Sequence, residues 1–494
     1  MPPIIQQQAV MFTVQDLLHT LKPRIEPTPF TGRRVHFIGI GGSGMSGLAH
    51  MLMNFGAKVS GTDRSSSSVT EKLAGIGAAI SYLESADALP AGTDIVVHSA
   101  AVKPDHPEML SAHHRGIEIL KYAQMLGRVM SLKHGIAIAG THGKSTTTAM
   151  TAYTLLAADK NPSFVVGATS PQLGGSARSG SGELFIVEAC EFDRSFHNLY
   201  PRIGVVLNIE EDHLDYYKDI HEINESFHKF LAQIDPSGVA LISAADQNCL
   251  QAARNIEATI ETYGIDMAAD WQATGIRRFQ GKAHFQVAYK GKKMGRLSLS
   301  LAGRHNVGNA TVAAAIATHC GVPWDKIVSG IESFRGADRR SQLIGTLPVE
   351  GGEVTVIDDY GHHPTEIRAT LLALREHYRP QRLICVFQPH QHSRTRFLLE
   401  DFARSFAHAD VTIVPDIFFV RDSDADRKAV NAAMLVERIR TNGREAMYIP
   451  TFKEINSYLL KDMRAGDLIV SMGAGPVWEV TDELVRTVRG CGQA

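Results

Sequence analysis

Short apolar runs, each closing on glycine or a polar residue and each followed by a helix-length segment, recur along the chain. That alternation predicts parallel strands joined by crossover helices. Arg34–Ile40 reads as a strand and a helix follows to about Asn54. Lys58–Thr62, a helix near Val69–Ile76 and a strand at Asp94–His98 continue the series. Glu118–Lys133 reads as a strand fragment with a linking helix. A second series opens at Gly135–Ala139, with a helix from about Lys144 to Ala158. Strands are expected at Ser163–Gly167, Leu184–Val187, Ile203–Leu207 and Val239–Ile242, with a Gly/Ser-rich loop at Gly174–Gly182 and an amphipathic helix at His221–Ile234. Residues 259–300 alternate apolar and polar positions around Gly-Lys pairs at 281–282 and 291–292, which predicts antiparallel hairpins. An alanine-rich helix ends near His319, and a third series holds strands at Thr355–Ile357, Arg382–Val386, Val411–Val414 and Leu468–Val470. Ahead of all this, Phe12–Leu21 suggests a short helix, and Lys22–Phe30, with three prolines, an extended lead-in.

Composition narrows the class. At 494 residues the chain is too long for one core. A net charge of −2 argues against a large nucleic-acid surface. The five cysteines are scattered and never spaced C-x-x-C, so no disulfide framework or zinc site is predicted and a reducing cytoplasm fits. No apolar run reaches the ~18 residues of a membrane helix, so no membrane insertion is expected.

Two glycine turns carry the chemistry. Gly140, Thr141, His142, Gly143, Lys144, Ser145 and Thr146 join a strand to a helix. Backbone N–H groups and a helix N-terminus then face an anion, Lys144 suits the terminal phosphates and the Ser145 hydroxyl suits Mg2+. The match to G-x-x-x-x-G-K-[ST] is incomplete, since Ile138 stands in the first glycine's place. Upstream, Gly39, Gly41 and Gly44 spell G-x-G-x-x-G, together with Gly42, Ser43 and Met45, and Asp63 closes the next strand. Read alone this fingerprint suggests NAD or FAD, but physically the turn only admits a pyrophosphate and places a carboxylate for a ribose hydroxyl, and a UDP-sugar has the same pyrophosphate. Ser99 follows the third strand, at the end where ligands of open sheets bind.

Acidic clusters at Glu188–Asp193 and Asn208–Asp215 close strands beside the second turn, where Mg2+ ligands belong. Glu188 and His213 stand out. Glu210, Glu211 and Asp219 read more simply as capping or solvated acids. Asn306 either caps its helix or, with His305 and Asn309, reads an adenine edge. The joint Ser333–Arg340 offers Arg339 or Arg340 as a phosphate clamp. Tyr360, His362, His390 and Arg394 gather at strand ends of the last series, a pattern for binding carboxylates or phosphates and not for a core.

In joint order, Gly39–Gly47, Gly140–Thr148, Glu188–Asp193, Asn208–His213, His305–Asn309, Asp358–Pro364 and Gln388–Arg394 resemble the Mur ligase family over nearly the whole chain. The resemblance implies an α/β protein of three domains. These are a Rossmann-like UDP-sugar domain at 1–130, a central P-loop-type ATPase domain at 131–335 with a parallel sheet and a small antiparallel one, and a Rossmann-like closing domain at 336–494. It implies ligation of L-alanine to the lactyl carboxylate of UDP-N-acetylmuramate through an acyl phosphate, driven by ATP. A ligase that attaches a whole tripeptide is the alternative. It further implies Mg2+ held by Ser145, Glu188 and His213, adenine contacts from His305, Asn306 and Asn309, and an interdomain phosphate contact from Arg339 or Arg340. The amino acid would meet Tyr360, His362, His390 and Arg394. The cytoplasm and a monomer or homodimer are expected. Departures from the family pattern are Ser145 for threonine, Gln391 for arginine, and Pro476 after Gly475. An NAD oxidoreductase would leave Lys144, Glu188 and His213 without a task, and a nucleotide-binding regulator would not need them all.

Overall fold

The computed structural model describes residues 28–491 except 215 and 421. The expected helix at Phe12–Leu21 lies outside the described residues, as does most of the lead-in. The chain forms two compact units that divide after Leu120.

The first unit holds a five-stranded sheet of Arg34–Ile38, Lys58–Thr62, Ala79–Ser81, Ile95–His98 and Glu118–Lys121, in the order third, second, first, fourth, fifth. The first strand pairs in parallel with both the second and the fourth. Helix Ser43–Asn54 buries Met45, Leu48, Ala49 and Leu52 on one face, the spacing that presses a helix onto a sheet. Helix Ser68–Gly75 starts where the Ser67 hydroxyl accepts the Thr70 N–H, a capping box.

The second unit contains two sheets. The larger has ten strands and centres on His134–Ala139, flanked by Ile203–Val206 and Leu184–Glu188, both parallel to it. Helices Lys144–Ala157 and Arg304–His319 pack against one another. The latter is buried continuously from Asn306 to Ala317, and its run of alanines permits the close approach. Two expectations are corrected here. The Gly/Ser-rich loop contains a strand, Gly175–Arg178, antiparallel to Ser163–Ser170. Within 259–300, Thr259–Ile265 runs parallel to Val239–Ser243, and only Trp271–Phe279, Lys282–Tyr289 and Lys292–Leu299 form antiparallel hairpins. Their two-residue turns are Gln280-Gly281 and Lys290-Gly291, one residue earlier than the Gly-Lys pairs suggested, with φ of 51° and 68° in the first and 47° and 77° in the second. Tight hairpins require positive φ at both central residues, which places the glycine second.

The smaller sheet has six strands. Gly352–Asp359, Arg382–Phe387, Val411–Val414, Glu445–Tyr448 and Asp467–Met472 run parallel, and Gln342–Val349 is an antiparallel edge. That edge strand, irregular between Leu343 and Gly345 and half exposed, gave no alternation to read. Helix Pro364–Tyr378 begins with proline in its first turn, as expected. The architecture is the expected α/β one.

Candidate functional site

In the first unit the glycine turn sits at the carboxyl ends of the strands. Gly39 has φ 81° and helix Ser43–Asn54 follows it. The N–H groups of Gly41 and Arg64 donate to the two oxygens of Asp63, at 2.7 and 2.8 Å. A Cβ on Gly41 would lie 2.8 Å from Asp63 Oδ2, so the residue must be glycine for the carboxylate to hold the turn. Ser99 Oγ lies 3.7 Å from where a Gly39 Cβ would be. Gly39, Gly41, Gly42, Gly44, Asp63 and Ser99 are thus brought to one place. Met45 differs, because it is buried and packs beneath Gly42 as support for the turn.

In the second unit, strand His134–Ala139 ends at Gly140, and Gly143 takes φ 83° to open helix Lys144–Ala157. The loop is tied down from below. Thr141 N–H donates to Asn208 O at 3.0 Å, and His142 N–H donates to Asn208 Oδ1 at 2.7 Å. Lys144 Nζ turns back over the loop and donates to Gly140 O (2.5 Å), Thr141 O (3.1 Å) and Glu191 Oε1 (2.8 Å). Burial opposes this ammonium's charge, but Glu191 more than offsets it and raises its pKa above the ordinary lysine value.

The acids converge on the same point. Ser145 Oγ donates to Glu188 Oε1 at 3.1 Å, and Glu188 Oε2 accepts the Gly167 N–H at 2.6 Å. His213 Nε2 lies 3.8 Å from Glu191 Oε1, with the Phe192 ring 5.1 Å from the imidazole. His213 has φ 53°, a left-handed conformation of the kind held at functional sites. Glu191 Oε2 is buried and has no hydrogen-bond partner among the described residues. Hard carboxylate and hydroxyl oxygens with one orphaned acceptor form a donor set that suits Mg2+.

A cleft of about 190 Å3 opens beside the loop. His142, Gly143, Thr146 and Asn208 form one side of it, His305, Asn306 and Asn309 a second, and Arg340, Asp359, Thr365 and Glu366 the third. The capping alternative for Asn306 falls away. Its helix begins at Arg304 after Gly303, and Asn306 Nδ2 donates to Ala302 O at 2.6 Å while its Oδ1 accepts from Asn309 Nδ2 at 3.0 Å. His305 is exposed at the cleft.

Of the two arginines at the joint, the structure separates the roles. Arg339, one of the two candidates for the phosphate contact, does not reach the loop. Its guanidinium donates to Asp358 Oδ2 (3.0 Å), Gly473 O (2.6 Å) and Gly475 O (3.1 Å), all within the last domain. Arg340 Nη2 donates to Ser145 Oγ at 3.1 Å, and its Nε is buried without a partner among the described residues. Both guanidinium groups lie about 5 Å from the Tyr360 ring.

The remaining residues line the other side. Arg394 Nη2 donates to Asp212 Oδ1 at 2.8 Å, and both side chains are buried. Burial alone would raise the Asp212 carboxyl, but Arg394 above all holds it well below the carboxylate range. His362 lies between Tyr360, Glu366 and His390, with ring centroids 5.3 Å from Tyr360 and 6.4 Å from His390, and burial lowers its pKa to about 3. His390 stacks on Phe418 at 5.6 Å. Asp359 is a clamp: its oxygens accept from Ser341 N–H, Ser341 Oγ and Gly361 N–H, and burial raises it to about 6.

Sequence reasoning overlooked several members. Glu210 is not a bland surface acid, since it pairs with His142 at 3.4 Å and accepts from Thr365 Oγ1 at 2.6 Å. Asp219, by contrast, caps helix Ile220–Leu231 as expected. Glu366 was legible in principle, because it stands third in a helix opened by Pro364 and receives the His362 and His363 N–H groups, a capping-box position. Glu191 and Asp212 lay inside quoted motifs, but composition gave no reason to prefer them.

Three family profiles match the chain in order: the Mur ligase family catalytic domain at 34–134, the Mur ligase middle domain at 138–317, and the Mur ligase glutamate ligase domain at 339–475. The chain belongs to the Mur ligase family. Curated relatives are full-length matches. UDP-N-acetylmuramate–L-alanine ligase of Geotalea uraniireducens is 40% identical over 92% of this chain and 98% of its own. The protein of the same name from Caldanaerobacter subterraneus is 41% identical over 92% and 97%. Among solved structures, UDP-N-acetylmuramate-alanine ligase MurC of Thermotoga maritima matches with a TM-score of 0.75, 24% identity, and coverage of 93% of this chain and 99% of that one. A murein peptide ligase of Psychrobacter arcticus matches at 0.65 with 25% identity, over 92% and 99%. Membership in the Mur ligase family accounts for both glycine turns in one chain and removes the oxidoreductase reading. Among the described residues no helix is long and apolar enough to cross a membrane.

Proposed function

We propose that this Mur ligase joins L-alanine to the lactyl carboxylate of UDP-N-acetylmuramate, with ATP converted to ADP and phosphate. Relatives about 40% identical over nearly their full length carry that activity in their names. The observation that carries the reading is the convergence of Lys144, Ser145, Glu188, Glu191, His213 and Arg340 at one glycine loop beside a three-sided cleft.

A carboxylate cannot be attacked by an amine directly, because its leaving group would be oxide or hydroxide. Transfer of the γ-phosphoryl to the substrate carboxylate gives an acyl phosphate, and phosphate then leaves as the amine attacks. Such transfers depend on positioning and charge neutralisation. Lys144 exchanges its contacts with Gly140 O and Glu191 for phosphate oxygens. Arg340 neutralises charge from the opposite wall. Ser145, Glu188 and His213, with Glu191 beside them, would hold Mg2+, which when bound neutralises phosphate and carboxylate charge. His305, Asn306 and Asn309 receive the adenine, and Gly39–Gly44 with Asp63 and Ser99 receive the UDP portion. Tyr360, His362, His390 and Arg394 receive the amino acid. His362, uncharged at neutral pH, does not repel the incoming amine. The reading places the enzyme in the cytoplasm, as a monomer or homodimer.

Phosphate release from ATP and Mg2+ with UDP-N-acetylmuramate, adding L-alanine, glycine, L-serine or the tripeptide in turn, tests this. Release with L-alanine, matched by the mass of the amide, is expected. Release with the tripeptide alone, or no release with any of these amines from folded protein that binds ATP, overturns it.

A further inference from the structure

At the mouth of the cleft lies a cluster of ligand-type side chains, His142 of the glycine loop with Glu210 and His363, to whose imidazoles and carboxylate the ligation reading assigns no chemical step. One ligand atom from each of His142, Glu210 and His363 lies within 4.8 Å of the other two. Glu210 Oε2 is 3.4 Å from His142 Nε2 and 3.8 Å from His363 Nδ1. A tetrahedral ion with bonds of about 2.0–2.2 Å separates its ligand atoms by roughly 3.3–3.6 Å, and the two Glu210 contacts already stand near that spacing.

The outer nitrogens strengthen the case. His142 Nδ1 faces Glu366 Oε1 at 3.3 Å, and His363 Nε2 donates to Glu211 O at 3.1 Å. A carboxylate or carbonyl on the far nitrogen is the arrangement that fixes a metal-binding imidazole, because it sets the tautomer and aims the near lone pair inward. Two inward lone pairs and a carboxylate oxygen repel one another unless a positive charge lies among them. A proton on His142 supplies it in one state, and a divalent cation supplies it in another. Thr365 serves both: its hydroxyl donates to Glu210 Oε2 at 2.6 Å, and its N–H makes a long 3.3 Å contact with His363 Nδ1 that an ion would displace. Both imidazoles are largely buried, while Glu210 is one-third exposed, leaving a side open for water.

We propose that His142, Glu210 and His363 form a binding site for a divalent cation of the Zn2+ or Co2+ type, separate from Ser145, Glu188 and His213. Two imidazoles with one carboxylate favour such ions over Mg2+, which prefers oxygen alone. The cysteine pattern had suggested no zinc site, and here histidines supply one. His142 and Glu210 come from strand ends of the ten-stranded sheet, and His363 precedes the first helix of the six-stranded one. A bound ion therefore clasps the two walls of the cleft. The inference goes beyond the ligase reading and does not depend on it.

The test uses the full chain, stripped by a chelator and held in saturating Mg2+, titrated with Co2+ and followed by visible absorption. One equivalent should produce the strong bands of four-coordinate Co2+, and Zn2+ should bleach them. His363→Ala should weaken Co2+ binding tenfold or more and remove the bands, whereas His213→Ala should keep them. Glu210→Gln, which conserves shape, gives the same readout if His363→Ala does not fold. Absence of strong bands in the folded wild type, their survival in both variants, or their loss in His213→Ala alone would overturn the proposal.

Discussion

Arg339 and Arg340 are neighbours of identical chemistry, and the structure assigns them opposite consequences. Arg339→Ala removes the ion-pair partner of Asp358, which is 2% exposed and keeps the Ser471 hydroxyl at 2.6 Å and a backbone hydrogen bond from Asp359. It also strips the donors from Gly473 O and Gly475 O. Breaking a buried pair by deleting one partner costs about 3–5 kcal/mol, and the lower end applies because the Arg339 side chain is 25% exposed. For a domain of this size that lowers the unfolding temperature on the order of 10 °C. Arg340→Ala removes one contact to Ser145 and a cation facing the cleft, while the carboxylates beside it, Asp359 and Glu366, keep their hydrogen bonds. A charge-assisted hydrogen bond contributes about 1.5–3 kcal/mol, so kcat/KM for ATP should fall by roughly 10- to 150-fold with the unfolding temperature nearly unchanged. Thermal unfolding of both variants, alongside phosphate release at varied ATP, separates the two effects. If Arg339→Ala kept its unfolding temperature and lost ATP turnover, or if Arg340→Ala destabilised as strongly as Arg339→Ala, the division of roles would be wrong.

Lys144→Ala should abolish phosphate release, while calorimetry still detects UDP-sugar binding to the folded chain; loss of both would show that the two glycine turns do not divide the ligands. Glu191→Gln keeps the size of a residue that sequence reasoning overlooked but removes the charge 2.8 Å from Lys144, and kcat should drop tenfold or more, by about 1.5–3 kcal/mol. An unchanged kcat would leave Glu191 without a role. His142 is buried, which opposes its charge, yet Glu366 and Glu210 lift it to about 9 from 6.5. Its contribution to stability is therefore complete below pH 6.5 and lost as the pH rises through 9, on the order of 3 kcal/mol in all. Unfolding temperatures measured across that window should converge for the wild type and His142→Asn at the alkaline end, and parallel curves would refute the assignment.

The strands that carry the site were legible because each is buried on both faces and reads as an unbroken apolar run. His134–Ala139, Leu184–Glu188 and Ile203–Val206 needed no partner to be recognised. What escaped were elements whose identity is set by neighbours. Gly175–Arg178 is a strand only because Ser163–Ser170 extends past its expected end to pair with it. Thr259–Ile265 alternates like a hairpin arm, yet its partner is the parallel strand Val239–Ser243. The site shows the same division. Lys144, Ser145 and Glu188 follow from local motifs, whereas the choice between Arg339 and Arg340 was left open by the sequence, because adjacent arginines differ only in where the backbone aims them. Arg339 and Ser341 take positive φ, 59° and 48°, and this twisted joint sends one guanidinium into the last domain and the other to the loop.

Apart from Glu191, the residues that were missed share one property, and it bears on how the enzyme works. Glu210, Asp212, Thr365 and Glu366 each bridge the ATP-side wall and the six-stranded domain, through His142, Arg394 and the start of helix Pro364–Tyr378. A bridging residue has no signature in either segment alone, since its role exists only when the walls meet. The same fact makes these contacts the natural place for substrates to act. Arg394, proposed to take the amino acid's carboxylate, is held here by the carboxylate of Asp212. An incoming alanine thus replaces one carboxylate with another of the same geometry, so the arginine need not be desolvated anew and the wall contact is exchanged, not simply broken. Because Asp212 adjoins His213, whose N–H it also accepts at 2.7 Å, that exchange is felt directly at the group proposed to hold the ion beside the substrate carboxylate.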